Sequence, residues 1–175
     1  MRSIEPIAKL DLAFSLFCLQ HKFQYPISRI SRAMSHTGDG HLYAVFGLLA
    51  FMFGEEHGEL FLIAGLVAFA FELPIYWVIK NTFKRRRPHD CSELVTSFIT
   101  PSDRYSLPSG HTAAAFLMAT LVNTWYMEVG EFAYVWAILI ASSRIFLGVH
   151  FLTDVILGAL LGFGCANLAI SLLGG

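Results

Sequence analysis

The sequence predicts an all-α, polytopic transmembrane helix bundle, about five spans preceded by an amphipathic N-terminal interfacial segment, and three observations predict it. The 175 residues are 55% hydrophobic and only 14% charged, with a mean hydropathy of +0.59; a soluble domain of this length seldom looks so apolar. Apolar runs recur that approach the ~20 residues a membrane-crossing helix needs. The charges between those runs are also segregated: with five spans, all 12 Lys and Arg fall on or near one face, while Glu55, Glu56, Glu59, Glu128 and Glu131 lie on the other with no cation among them. A net charge of −1 says nothing about acidic partners, so the distribution of charge along the chain is read instead; the composition implies the bilayer as a partner, and no nucleic acid is expected.

No internal repeat, low-complexity tract or long linker divides the chain, so residues 1–175 are expected to form a single domain: an interfacial segment over 1–37 and a helical core over 38–175. The first apolar run, LAFSLFCL, is short and is followed by Gln20, His21 and Lys22 rather than by small residues, so no cleavable signal peptide is expected. From Ile7 to Ser35 the apolar residues are mixed with Asp11, Lys22, Arg29 and Arg32, which suits helices lying in the interface. Leu42–Phe53 is a short span candidate. Leu60–Ile79 follows, with Glu72 and Pro74 inside it; the proline is expected to kink the helix and the glutamate to pair with a polar neighbour. Thr112–Met127, Phe132–Val149 and Phe151–Leu173 complete the five. Trp77, Trp125 and Tyr126, near span ends, suit the interface belt. Cys18, Cys91 and Cys165 have no metal-ligand spacing and read as structural.

Three polar motifs share the cationic face. KNTFKRRRP, residues 80–88, leaves the second span as a basic run. PSGHT, residues 108–112, opens the third, where a helix N-terminus offers unpaired N–H groups and a positive dipole end to an anion, and Gly110 permits a close backbone approach. SRIFLGVHFLTD, residues 143–154, sets His150 and Asp154 four apart, which on a helix places both on one face with the carboxylate able to accept from a ring nitrogen. Together they bring Lys80, Arg87, Arg144, a helix N-terminus, His111 and His150 to one cavity, the chemistry of phosphate handling. A metal site made of His111, His150 and Asp154 is the alternative, disfavoured by the cations around it; no metal and no cofactor is expected. Arg85 and Arg86 read as lipid-facing or solvated, and SHTGDG, residues 35–40, reads as a helix cap at Asp39.

These motifs resemble the type 2 phosphatidic acid phosphatase superfamily, whose site architecture is shared with vanadium haloperoxidases. Lys80 with Arg87-Pro88, then Pro108-Ser109-Gly110-His111, then Ser143-Arg144 with His150 and Asp154, match its three-part signature in order and without a substitution over about 75 residues. The resemblance implies that His150 is the nucleophile, Asp154 its orienting partner and His111 the acid and base. It further implies that Lys80, Arg87, Ser109, Gly110 and Arg144 bind the phosphoryl oxygens. The implied activity is metal-independent removal of a terminal phosphate from a lipid such as undecaprenyl diphosphate, phosphatidylglycerol phosphate or phosphatidic acid. Two alternatives stand beside it, a vanadate-dependent haloperoxidase and a non-catalytic lipid-phosphate carrier. Many membrane members have six spans, and this chain lacks an equivalent of the first. The expected location is a bacterial inner membrane with the site facing the periplasm, although the Lys and Arg bias argues for the cytoplasm.

Overall fold

Glycines and short polar stretches punctuate the apolar runs, and the computed structural model, which describes residues 5–174, folds each uninterrupted run into a helix. In chain order these are α1 (Glu5–Leu19), α2 (Gln24–His36), α3 (Gly40–Phe53), α4 (Gly58–Phe83), the one-turn α5 (Pro88–Cys91), α6 (Gly110–Trp125), α7 (Met127–Phe146) and α8 (Leu152–Leu172). Arg2, one of the cations weighed in the charge argument, lies outside the described residues. The described residues form an all-helical bundle.

Three helices, those beginning at Gly58, Met127 and Leu152, are long and apolar enough to cross a membrane. α3, with 14 residues, is apolar but short, reaching about 21 Å against a hydrocarbon core of about 30 Å. α6 has 16 residues and is the axis of the bundle, packed most extensively against α8 and α7. Because its neighbours cover it, α6 has little need of the apolar surface that a lipid-facing helix requires. Length therefore supports three of the five expected spans directly.

The sequence also explains how closely α8 meets α6. Gly158 and Gly162, four apart, form a small-residue stripe: a Cβ on Gly162 would stand 1.9 Å from the Ala113 carbonyl oxygen, and one on Gly158 2.5 Å from that of Ser109. Small residues at that spacing let two membrane helices approach backbone to backbone, which matters where the lipid is as apolar as the side chains. The contact holds the start of α8 against the start of α6, and the Ser109 N–H donates to the Asp154 carbonyl at 3.0 Å. Around it Phe61, Ala64, Ala68, Leu117, Leu121 and Ala166 form the main core cluster. Leu66 and Leu160 are exposed instead.

The N-terminal helices differ from expectation in the direction of their polar face. α1 buries Asp11, Ser15 and Leu19, one stripe at helical spacing, and exposes Leu10 and Phe17. α2 buries Ser28, Ser31 and Ser35 against α7. Both turn polar or small groups toward the bundle.

Candidate active site

The α4 exit, the α6 start and the α7–α8 turn meet at one end of the bundle, and each brings the side chains its motif predicts. Lys80 is in the last turn of α4, which ends where Lys84 enters the left-handed region at φ 49° and donates its N–H back to the Lys80 carbonyl at 3.1 Å. Lys80 Nζ lies 2.8 Å from Asp103 Oδ2 and also donates to the Tyr76 hydroxyl one turn earlier. Arg87 is 3% exposed. Its Nη1 donates to the Val149 carbonyl at 2.6 Å and its Nη2 to Asp103 Oδ1 at 2.7 Å.

Asp103, which no motif flagged, thus holds both cations. Burial disfavours its charge, but the hydrogen bond and charge of Lys80 and the charge of Arg87 outweigh burial and hold its carboxyl below the ordinary carboxylate range. A single carboxylate thus accepts from both a lysine and an arginine, the donor types that also pair with phosphate oxygens.

Ser109 stands at the N-cap position of α6 without a side-chain capping bond and is fully buried, its hydroxyl 2.9 Å from Thr112 Oγ1. Gly110 admits a close neighbour: a Cβ there would stand 3.0 Å from the Tyr76 ring. The residue expected to let a ligand approach the backbone therefore accommodates an aromatic side chain. His111 Nε2 is 3.0 Å from Asp39 Oδ1. Asp39 stands at the N-cap position of α3 but makes no capping bond, so the expected cap is corrected: its carboxylate reaches across to α6. Arg144, 5% exposed near the end of α7, donates to Ser35 Oγ of α2.

The His150–Asp154 pair differs from the helix-face picture. His150 precedes the α8 cap at Phe151, and Asp154 sits in the first turn of α8. They are adjacent, but Nδ1 to Oδ2 is 3.7 Å, beyond hydrogen-bond reach. Asp154, 0% exposed, accepts from the Phe151 N–H at 2.8 Å. It also accepts from Arg85 Nη1 at 2.7 Å, and Arg85 Nη2 reaches Asp11 Oδ2 at 2.6 Å. Arg85 is neither lipid-facing nor freely solvated: it bridges two buried carboxylates and stacks over the Phe151 ring at 4.3 Å. Its partner Asp11 lies 74 residues away in sequence, a separation that no local pattern reveals. Glu72 is buried within α4, but the described residues offer its carboxyl neither the expected polar partner nor an ion pair.

Burial is the main influence on His150, and with the Arg144 charge it outweighs the favourable field of Asp154, pushing its pKa down to about 4. The ring is neutral at pH 7. Among the described residues, the buried side-chain nitrogens without a hydrogen-bond partner are Arg87 Nε, Arg144 Nε and His150 Nδ1. All three belong to residues of the predicted site.

An apolar cavity of about 640 Å³ opens between α3, α6 and α7, lined by Phe46, Phe53, Ala115, Ala119, Ala137 and Ile140 among others. His111 lies one turn before Ala115 on α6, and Arg144 one turn after Ile140 on α7. The floor of the cavity therefore continues, along two helix faces, toward the polar site.

Known proteins share this architecture. LpxE of Aquifex aeolicus superposes with a TM-score of 0.77 over 93% of this chain and 95% of that one, at 27% identity. The phosphatidylglycerolphosphate phosphatase of Bacillus subtilis shares the fold, with a TM-score of 0.74 at 21% identity over 97% and 87%. By sequence, the decaprenylphosphoryl-5-phosphoribose phosphatase of Mycobacterium tuberculosis (strain H37Rv) is 32% identical over 150 residues, 83% of this chain and 80% of that one. Escherichia coli (strain K12) YbjG is 31% identical over 106 residues, 59% of this chain and 53% of its own length, so the match spans about half of that relative. The family model described as the PAP2 superfamily matches residues 58–174, a stretch that contains Lys80, Arg87, His111, Arg144, His150 and Asp154, and the chain belongs to that superfamily.

Proposed function

We propose that the chain is a metal-independent membrane lipid phosphatase that removes a terminal phosphate through a phosphohistidine intermediate on His150. The observation that carries this is the grip of Lys80 and Arg87 on one carboxylate, beside the unpaired Nε atoms of Arg87 and Arg144. That is a cage for a tetrahedral anion. The lipid phosphatases among its relatives, named for a decaprenylphosphoryl sugar phosphate and for phosphatidylglycerolphosphate, support the same substrate class.

In the proposed mechanism the phosphate replaces the Asp103 carboxylate on Lys80 and Arg87, and Arg144 with the α6 N-terminus at Ser109 and Gly110 holds its remaining oxygens. His150 Nε2 attacks phosphorus, its Nδ1 proton drawn toward Asp154 as charge develops on the ring. The bond to the leaving oxygen breaks as His111 donates a proton to it. His111 then takes a proton from water, the water oxygen bonds to phosphorus, and the nitrogen–phosphorus bond breaks to release inorganic phosphate. Preorganised cations supply the largest share of such catalysis. The apolar cavity between α3, α6 and α7 accommodates a hydrocarbon chain whose phosphate end reaches His111 and Arg144, with α3 and α6 counted as the fourth and fifth spans.

The test is phosphate release from a panel of purified lipid phosphates: undecaprenyl diphosphate, phosphatidylglycerol phosphate, phosphatidic acid and a polyprenyl sugar phosphate. Turnover of at least one in the presence of EDTA is expected. Restoration of activity only by a divalent ion would return the reading to the His111, His150 and Asp154 metal site, and bromination with added vanadate in place of phosphate release would turn it to a haloperoxidase.

We place the active-site face on the periplasmic side of a bacterial inner membrane, against the Lys and Arg bias. In a cysteine-free background, Ser102→Cys, at an exposed loop position, should react with a membrane-impermeant maleimide in intact cells. Labelling only after lysis would put the site in the cytoplasm.

A further inference from the structure

We infer that Asp39 is the positioning residue of His111: its carboxylate, presented by the turn between α2 and α3, holds His111 by Nε2–H and leaves Nδ1 as the nitrogen that gives and takes the proton. The inference rests on the phosphatase reading for the use of that proton, and on geometry for the pairing.

Asp39 lies 72 residues from His111 in sequence, and its Oδ1 stands 3.0 Å from His111 Nε2. Its other oxygen, Oδ2, is 3.1 Å from His36 Nδ1. Asp39 has the extended backbone of an N-cap, φ −73° and ψ 136°, yet its side chain makes no capping bond to α3. A carboxylate at that position ordinarily accepts from the N–H groups just after it. Here both oxygens go to imidazoles, so helix capping does not account for the residue. Just before this turn, the last turn of α2 supplies Ser35 to Arg144, which makes the α2–α3 junction part of the site wall.

The chemistry needs such a partner. In the first step His111 must be an imidazolium beside the cation Arg144, and a fixed carboxylate on the far nitrogen stabilises that form. In the second it must be a neutral ring with a lone pair facing water, and the bond from Nε2–H to Asp39 keeps that lone pair on Nδ1. The carboxylate stays ionised throughout while the ring alternates at one atom, as in other oriented-histidine systems.

Asparagine caps helices about as well as aspartate, so Asp39→Asn separates a capping role from a charge role. With the lipid phosphate turned over best by the wild type, Asp39→Asn should lower kcat by about 10- to 100-fold, at or below the low end of the ~10²- to 10⁴-fold that a general acid–base group contributes itself, as suits a residue acting through His111, with KM changed far less. Asp39→Glu should restore part of kcat. Independently of turnover, ¹⁵N NMR of His111, assigned with His111→Gln, should show the neutral ring protonated at Nε2 in the wild type and a mixture of tautomers in Asp39→Ala. An unchanged tautomer in Asp39→Ala, or a kcat in Asp39→Asn close to the wild-type value, would overturn the inference. If no lipid released phosphate, the phosphatase reading would fall, and the tautomer measurement alone would decide whether Asp39 positions His111.

Discussion

His150 and His111 are assigned to two halves of one reaction, and their surroundings are opposite. His150 is 3% exposed and its neighbour Asp154 is 0% exposed; behind them Arg85 ties Asp154 to Asp11 in the interior. His111 has a side chain 28% exposed, its partner Asp39 is 31% exposed, and His36 beyond them is 72% exposed. One histidine ends a dry network and the other begins a chain of groups that leads to water. A nucleophile benefits from being desolvated and neutral, whereas a proton carrier must exchange with solvent on every turnover.

The comparison is tested most severely at His150. His150→Gln should lower kcat by at least ~10³-fold, about 4 kcal/mol of transition-state stabilisation, in a protein that still folds. Activity within tenfold of the wild type would remove His150 as the nucleophile. Burial also makes His150 a pH-dependent cost to folding: with a native pKa of about 4 against roughly 6.5 when unfolded, the unfolded chain binds the extra proton first. Stability should therefore fall as pH drops from about 6.5 toward 4, by on the order of 3 kcal/mol, and this fall should be missing from His150→Gln. Denaturation midpoints in detergent at pH 7 and pH 4.5 measure it.

Arg85 is the next largest effect, and one of stability. Arg85→Met leaves Asp11 and Asp154, 3% and 0% exposed, without their shared cation, and breaking a buried pair from one side typically costs about 3–5 kcal/mol. Arg85→Lys keeps the charge but cannot fork between two carboxylates, and should fall between Arg85→Met and the wild type. A thermal midpoint for Arg85→Met equal to that of the wild type would show that the network contributes nothing.

The candidate site residues were legible because they sit in compact motifs next to helix ends; PSGHT does open α6, and the basic run does leave the end of α4. What was not legible is what those residues lean on. Asp11, Asp39 and Asp103 come from an N-terminal helix, an interhelical turn and a long loop; Asp11 and Asp39 reach Thr153 and His111 across 142 and 72 residues, and Asp103 reaches Arg87 across 16, beyond any helical spacing. Periodicity marks a face on a helix such as α1 but not whether that face meets water or protein, so a segment expected to lie amphipathically in the interface turns Asp11 and Ser15 into the bundle. Arg85 was misread for the same reason: its ligands are remote in sequence.

Asp103 offers a smaller effect of the opposite sign. Its carboxylate occupies the cations that the substrate phosphate needs, so removing its charge should favour an external anion. Asp103→Asn should bind vanadate about 3- to 10-fold more tightly, up to ~1.4 kcal/mol, read as a lower inhibition constant. Weaker vanadate inhibition would mean that Asp103 holds Lys80 and Arg87 in place instead of competing for them.

The smallest effect is expected at His36, and it decides whether the wet side of the comparison is a connection or only an exposed pair. His36 stands 3.1 Å from Asp39 Oδ2 with a 72% exposed side chain, and surface pairs of this kind contribute about 0.2–1 kcal/mol. His36→Asn should therefore slow turnover by no more than about fivefold, the upper end of that energy. Because it would act through Asp39, the loss should vanish in an Asp39→Asn background, which a double-mutant cycle reads directly. If His36 also hands protons between solvent and the Asp39–His111 pair, added imidazole should restore part of the rate in His36→Asn, since a diffusing base can replace one held at the surface but cannot reach His150. Full additivity of the two substitutions, with no response to imidazole, would confine the solvent link to His111 and Asp39 alone.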